Sequence, residues 1–143
     1  MSIHTAYEVA PQSIISGHRR NLMPRHSSTL LDHFNSPRNA GKLDSPTIVG
    51  EADRADRAPR VTIYLQIAGE RISQASFTAF GCGVTIACCS VLTVLATGRS
   101  VHHCRDIEAA DIITELGGVP AGKQFCASVA VAALRDALGK FAE

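Results

Sequence analysis

The chain has 143 residues, which is enough for one domain with a real hydrophobic core and too few for two. Its formal net charge is +1 and 19% of its residues are charged, so nothing favours electrostatic binding to nucleic acid or to an anionic membrane. The apolar stretches are too short to span a membrane, and the first twenty-five residues lack the apolar core of a secretory signal, so the sequence predicts a cytoplasmic protein.

The five cysteines are the residues most informative about chemistry. Their odd number, in a chain with no secretory signal, favours reduced thiols over a disulfide framework. The adjacent pair Cys88-Cys89 cannot easily direct both sulfurs at one ion, and the sequence contains no Cys-x-x-Cys pair. A metal site would therefore have to be assembled from distant segments.

The N-terminal part of the chain is predicted to precede a single domain. Residues 1–27 show no clear hydrophobic period, so we expect a flexible extension there and one domain over residues 28–143. Ser27 or Ser28 is placed to cap a short helix over residues 29–34, which a turn containing proline then ends.

Three strands are predicted in the middle of the chain. A short strand over residues 47–49 precedes a charged stretch, 51–60, that is typical of a loop. Strict alternation of apolar and polar residues over 61–67 predicts a strand with one buried face. A turn at 69–70 then leads into a third strand, 72–80, and the pair forms an antiparallel hairpin.

Cys82 lies where the hydrophobic period changes. The apolar spacing changes from two to three or four after Gly81-Cys82-Gly83, which predicts that the third strand turns sharply into a helix at this thiol. A helix N-terminus lowers the pKa of a cysteine, so Cys82 is a candidate reactive group, with a small apolar residue filling the turn as the alternative. The helix carries one apolar stripe that includes Cys88, and core packing explains that residue.

Two short helices are predicted next, with Ser100 capping the first and Asp111 capping the second. The first contains His102-His103-Cys104, a run that invites interpretation as a metal site. Three adjacent residues on a helix point in three directions, however, so two surface histidines and one packed cysteine are favoured.

The last predicted helix begins at Cys126, so this thiol repeats the situation of Cys82. If the two helix N-termini converge at one end of the sheet, they form an electropositive pocket that holds two thiolates. Such a pocket suits a soft metal ion, an iron-sulfur cluster or persulfide sulfur. Coincidence is the alternative, because helix starts are common.

Three segments of the sequence carry a family resemblance. They are Asp32-His33-Phe34-Asn35-Ser36-Pro37-Arg38-Asn39-Ala40-Gly41, Phe77-Thr78-Ala79-Phe80-Gly81-Cys82-Gly83 followed by Ile86-Ala87, and Lys123-Gln124-Phe125-Cys126-Ala127-Ser128. In order and spacing, from about Ser28 to the C-terminus, the chain resembles the IscU/NifU-type scaffolds of iron-sulfur cluster assembly. The resemblance implies an α/β (α+β) domain in which helices pack on a small antiparallel three-stranded sheet.

The resemblance also implies a binding site. In that family three cysteines and an aspartate, with a histidine beside the last cysteine, form the site of a labile [2Fe-2S] cluster. Cys82 and Cys126 fall on two of the cysteine positions, whereas Pro59, Val61 and Phe125 stand at or near the positions of the first cysteine, the aspartate and the histidine. The chain is therefore expected to bind iron or a [2Fe-2S] cluster through Cys82 and Cys126, with zinc as a further metal suited to such a site.

Two cysteines supply only half of the four protein ligands that a [2Fe-2S] cluster ordinarily takes. Asp53 or Asp56 in the predicted loop could complete the set, as could Cys104 or His103 if the fold brings them round. A homodimer in which each copy donates two cysteines is favoured, because it needs no unusual ligand.

The function implied by the resemblance is that of a scaffold or carrier and not of an enzyme, and the sequence offers no nucleophile-base-acid set. The implied partners are a cysteine desulfurase that delivers sulfur and apoproteins that receive the cluster. Two alternatives stay open: a persulfide sulfur acceptor that uses Cys82 or Cys126, and a degenerate module that only binds a partner. The family's proline-rich chaperone-recognition segment is reduced here to residues 118–123 with one proline, so recognition by a dedicated Hsp70 system is not expected.

Overall fold

The computed structural model describes residues 27–141, so residues 1–26 of the predicted extension lie outside the described residues. The elements of the described part, in chain order, are α1 (Ser28–Asn35), β1 (Ile48–Asp53), β2 (Arg60–Ala68), β3 (Arg71–Phe80), α2 (Gly83–Ala96), α3 (Val101–Cys104), α4 (Ala109–Leu116) and α5 (Gln124–Gly139). The predicted α+β class and the antiparallel three-stranded sheet are confirmed. Within this part of the chain, no helix has both the length and the apolar character that crossing a bilayer requires.

The sheet has the strand order β1-β2-β3, and both neighbouring pairs are antiparallel. β2 and β3 are joined by the predicted turn at Gly69-Glu70. β1 is longer than predicted, because residues 51–53, which the sequence assigned to a loop, pair with the first residues of β2. The side chains of Glu51 and Asp53 are exposed on this edge strand, so the sequence is as polar here as that of a loop. The backbone of these residues nevertheless pairs with β2.

The helices α2 and α5 lie against the sheet, with α5 across β1 and β2 and α2 against β3. The approach of α5 to β1 is very close at Gly50. A Cβ placed on Gly50 would overlap the backbone of Ala133 and Ala137 and lie 2.7 Å from the Ala137 Cβ. Only glycine therefore allows the strand and the helix to pack at this separation.

The helix α2 occupies the centre of the domain. It contacts β3, α1, α4 and α5, and its polar residues Thr85, Ser90 and Thr93 are buried together with Cys89. The predicted apolar stripe is buried, apart from Leu95 at its end, which is half-buried. Residues beside the stripe are buried as well, because elements cover the helix on several sides.

The Asp32–Gly41 segment holds α1 against the start of α2. The Nδ1 atom of His33 lies 2.7 Å from the Ser90 hydroxyl, which also accepts the backbone N–H of Arg38 at 2.8 Å. The Phe34 ring fills the space where a Cβ on Gly83 would stand. This segment thus fixes the position of the α2 N-terminus, where Cys82 lies.

The ends of the later helices differ in part from the predictions. Ser100 caps α3 as predicted. The helix α4 starts at Ala109 and is capped by Glu108, because Asp111 closes a capping box from inside the helix and is not itself the cap. The helix α5 starts at Gln124, so Cys126 lies within its first turn and not at its first residue.

Candidate functional site

Cys82 and Cys126 lie together at the N-terminal end of α2. Cys82 is the N-cap residue of this helix, and Cys126 lies in the first turn of α5, which packs beside α2. The hydroxyl of Thr85 donates to the Cys126 sulfur at 3.3 Å and lies 3.9 Å from the Cys82 sulfur. The two sulfurs thus share one hydroxyl neighbour. The fold therefore brings two cysteines that are distant in sequence to one place.

The two thiols differ in their access to solvent. Cys82 is exposed, whereas Cys126 has 0% of its surface exposed. Gly81 makes the tight turn before Cys82, since a Cβ there would lie 2.7 Å from the Thr85 hydroxyl and 3.1 Å from the Pro59 Cβ. One sulfur is thus on the rim of the site and the other directly behind it.

The exposed sulfur opens into a shallow cavity of about 180 Å³. The cavity is lined by Ala58, Pro59, Gly81, Cys82, Thr85, Lys123 and Phe125. The Lys123 Nζ atom lies 3.6 Å from the Cys82 sulfur. The Arg54 guanidinium stacks over the Phe125 ring, with its carbon 4.0 Å from the ring centre. Two cations therefore flank the cavity, one of them in direct contact with the thiol.

These surroundings separate the pKa values of the two thiols. The hydrogen bond from Cys126 lowers the pKa of Cys82 to about 4, helped by the backbone N–H groups of Thr85 and Val84 and by the Lys123 ammonium, and opposed by partial burial. The same hydrogen bond to Cys82, together with burial, raises the pKa of Cys126. At neutral pH the site holds one thiolate, on Cys82, and Cys126 keeps its proton as the donor.

The other three thiols are buried in the core. Burial raises the pKa of Cys88 to about 12 and that of Cys104 to about 11, and it also raises the pKa of Cys89. All three have 0% of their surface exposed. Attack on a partner from solution requires an accessible thiolate, so Cys82 is the thiol of the chain that can react with one.

Comparison with known proteins relates this site to a family. Residues 25–143 match the NifU-like N terminal domain family. The chain belongs to this family. The Archaeoglobus fulgidus "Iron-sulfur cluster assembly scaffold protein IscU 1" is 34% identical over 113 residues, covering 79% of this chain and 74% of the relative. The corresponding IscU scaffold protein of Rickettsia prowazekii is 33% identical over 120 residues, covering 81% of this chain and 91% of the relative.

Solved structures agree on the fold. The crystal structure of the "Putative iron-sulfur cluster assembly scaffold protein for SUF system" from Fervidobacterium islandicum AW-1 superposes with a TM-score of 0.63. It is 18% identical and covers 80% of this chain and 97% of that protein. The resemblance to IscU/NifU-type scaffolds and the predicted fold class are both confirmed.

Three residues stand at or near positions where the resemblance places a metal ligand. Pro59 and Phe125, which stand where the resemblance places a cysteine and a histidine, both line the cavity beside Cys82. Val61, close to the aspartate position, is fully buried in the sheet. The side chains of Pro59, Val61 and Phe125 offer no metal ligand.

The further ligands considered from the sequence lie elsewhere. Asp53 belongs to β1, where it pairs with Arg60 at 3.9 Å and accepts the backbone N–H of Asp56 at 3.1 Å, and neither aspartate lines the cavity. One strand, β2, lies between Asp53 and the end of β3, and two strand spacings give a distance of about 10 Å. Among residues 27–141 there is no group of three or more His, Cys, Asp or Glu residues that could hold one metal ion.

Cys104 and His103 lie at the opposite end of α2 from Cys82. The Cys104 sulfur donates to the Ala96 carbonyl, in the last turn of that helix, roughly 20 Å along the axis at 1.5 Å per residue. The exposed His103 ring contacts Arg99 at 2.9 Å. The fold does not place these two residues near Cys82. Cys104 is packed in the core and His103 lies on the surface, as the sequence favours.

Sequence reasoning missed three side chains of the site. Thr85 lies three residues after Cys82 in a helix, and this spacing alone places it on the side of the thiol. Lys123 lies in the segment 118–123, which the resemblance relates to chaperone recognition and not to the thiols. Arg54 reaches Phe125 through the tertiary fold, and no local signal in the sequence points to that contact.

Proposed function

We propose that this chain is a scaffold for iron-sulfur cluster assembly to which Cys82 and Cys126 contribute the ligands. The observation that carries the proposal is the pair of sulfurs around one Thr85 hydroxyl, with one sulfur exposed in a cavity flanked by cations. Thiolate sulfur is the usual protein ligand of iron-sulfur clusters. The names of the relatives, which are scaffold proteins of this assembly, support the same reading.

We further propose that a second copy of the chain completes the site. One copy offers two thiols and a [2Fe-2S] cluster ordinarily takes four protein ligands, so two copies with their cavities facing provide a four-cysteine set. Asp53 or Asp56 would have to leave their present partners to reach the cavity. The dimer uses sulfurs that are already in place, and the same tetrahedral thiolate set accommodates single iron or zinc ions.

The partners follow from the chemistry of the cargo. Sulfur arrives on a cysteine desulfurase as persulfide, and the finished cluster leaves to recipient apoproteins. The chain is then a carrier and not an enzyme. We place this role in the cytoplasm, where thiols remain reduced.

Anaerobic reconstitution tests the scaffold proposal. Reduced protein is mixed with ferrous iron, sulfide and reductant, and visible absorption, bound iron, bound sulfide and molecular mass are measured. We expect equal amounts of iron and sulfide on a dimer, and loss of both in the double variant Cys82→Ala, Cys126→Ala. Cys104→Ala, which removes a buried thiol far from the site, serves as the matched control. Equal iron binding by the double variant would refute the proposal.

A second candidate function is favoured by the contact between Cys82 and Lys123. An exposed sulfur 3.6 Å from an ammonium group is placed to attack a donor's sulfane sulfur, which is the first step of a sulfur acceptor. Incubation with a desulfurase and cysteine, without iron, should add the mass of one sulfur atom to the Cys82 peptide of the Cys126→Ser variant. Added sulfur only on Cys88 or Cys104 would contradict this function.

A further inference from the structure

The site contains more than a pair of ligands, because its two thiols are arranged one behind the other. Cys82 is exposed on the rim, and Cys126 is wholly buried behind it. A donor protein can reach only the first sulfur. The second is closed to solvent, and the Thr85 hydroxyl, which lies 3.9 Å from the Cys82 sulfur, donates to the Cys126 sulfur at 3.3 Å.

We propose that this pair also reduces sulfane sulfur, with Cys82 accepting the sulfur from a persulfide and Cys126 expelling it as sulfide. The inference rests on the proposed function in one respect, namely that sulfide is the form of sulfur a cluster takes up. Persulfide delivers sulfur at oxidation state zero, whereas the bridging sulfur of a cluster is at minus two. Each sulfur atom must therefore be reduced by two electrons. Two thiols release two electrons when they form a disulfide.

The chemistry takes two steps. In the first, the Cys82 thiolate attacks the terminal sulfur of a donor R–S–SH, a bond forms between Cys82 Sγ and that sulfur, the donor S–S bond breaks, and R–S⁻ leaves. In the second, the outer sulfur of the Cys82 persulfide, which has lost its own proton to R–S⁻, accepts the Cys126 proton. The Cys126 thiolate formed in this way attacks Cys82 Sγ, the Cys82–Cys126 disulfide forms, and the outer sulfur leaves as HS⁻. The two cysteines are oxidised by two electrons and the transferred sulfur is reduced by two.

The surroundings suit each step. The ammonium of Lys123 lies beside the Cys82 sulfur, where it stabilises the anionic outer sulfur and the departing HS⁻. The cavity in front of Cys82 provides room for the donor and a path for release. A dithiol reductant must then reset the disulfide, so the oxidised chain binds no iron until it has been reduced.

The experiment uses the full reduced chain, freed of small thiols under anaerobic conditions and mixed with freshly prepared cysteine persulfide without iron. We expect release of about one sulfide per chain, an intact mass lower by two hydrogens, and a disulfide-linked pair of peptides containing Cys82 and Cys126. Cys126→Ser should instead retain one added sulfur on Cys82 and release sulfide only at the rate of a protein-free control. The matched control Cys104→Ala should behave as the wild type.

Two results would overturn the inference: equal sulfide release by wild type and Cys126→Ser, or wild-type protein that keeps its added sulfur and forms no Cys82–Cys126 disulfide. The disulfide is mapped on wild-type protein, so the test stands even if the variant does not fold. Reconstitution with iron and supplied sulfide separates this inference from the scaffold proposal. A chain that assembles a cluster from supplied sulfide but releases none from persulfide would overturn the reduction step alone.

Discussion

The lowered pKa of Cys82 makes a specific prediction about its reactivity. With its pKa at about 4, Cys82 is mostly thiolate from pH 5 upwards, so its alkylation rate should change by less than about twofold between pH 5 and pH 8. An ordinary cysteine with a pKa of about 8.5 is roughly 3% thiolate at pH 7, and its rate rises several hundredfold over the same range.

The absolute rate follows from two opposing effects. A thiolate loses intrinsic nucleophilicity as its pKa falls, by about a hundredfold over this difference at a Brønsted coefficient of about 0.45. The larger thiolate fraction offsets this loss. Cys82 should therefore react about threefold more slowly than an ordinary cysteine at pH 7, and about thirtyfold faster at pH 5.

Removing Cys126 tests the cause. Cys126→Ala deletes the donor that lowers the Cys82 pKa most, so the apparent pKa should rise and the rate should again depend on pH above pH 5. Cys126→Ser keeps an O–H donor in the same position and should preserve much of the flat profile. The assay is iodoacetamide labelling with peptide mass analysis at each pH. A wild-type rate that rises tenfold per pH unit between pH 6 and pH 8 would refute the reasoning.

Three further substitutions follow from the packing and charges. Lys123→Met removes the ammonium beside Cys82 and should raise the apparent pKa of Cys82, by less than Cys126→Ala does. Lys123→Arg keeps the charge and should leave that pKa unchanged. The same labelling assay measures both variants, and an unchanged pH profile for Lys123→Met would contradict the prediction. Gly50→Ala should destabilise the domain by about 1–3 kcal/mol in urea unfolding because its Cβ meets backbone, whereas Gly139→Ala, which meets nothing within 4 Å, should not destabilise it. Gly83→Ala should force the phenyl ring of α1 out of its place and likewise lower the unfolding midpoint, and an unchanged midpoint would count against this packing.

The parts of the fold that the sequence predicts are those with a local cause. Alternating residues mark β2 and β3, and a change of period marks the start of α2 at Cys82. The expectation that Cys126 would lie near Cys82 also began from local signals, since each thiol is near a helix N-terminus.

The parts of the fold and the site that could not be predicted from the sequence depend on contacts between residues far apart in the chain. Residues 51–53 look like a loop because only their backbone, paired with β2, makes them a strand. Thr85 and Ser90 are buried because several elements pack around α2. The hydrophobic periodicity of α2 itself does not indicate how many elements surround it. The stacking of Arg54 on Phe125 joins segments that are far apart in the chain, so the second cation of the site was not foreseen.

Sharing a cluster between two copies has a consequence that a single-chain site does not have. If each copy holds the cluster by Cys82 and Cys126 alone, the complex forms from two chains and its occupancy falls on dilution by mass action. A site with four ligands from one chain would bind the cluster without dimerisation, so its molecular mass would not change on dilution. We therefore expect the visible absorption per chain of reconstituted protein to fall reversibly on dilution, together with a change from dimer to monomer mass. Constant absorption per chain on a monomer would contradict the shared site, and it would require ligands from elsewhere in the same chain.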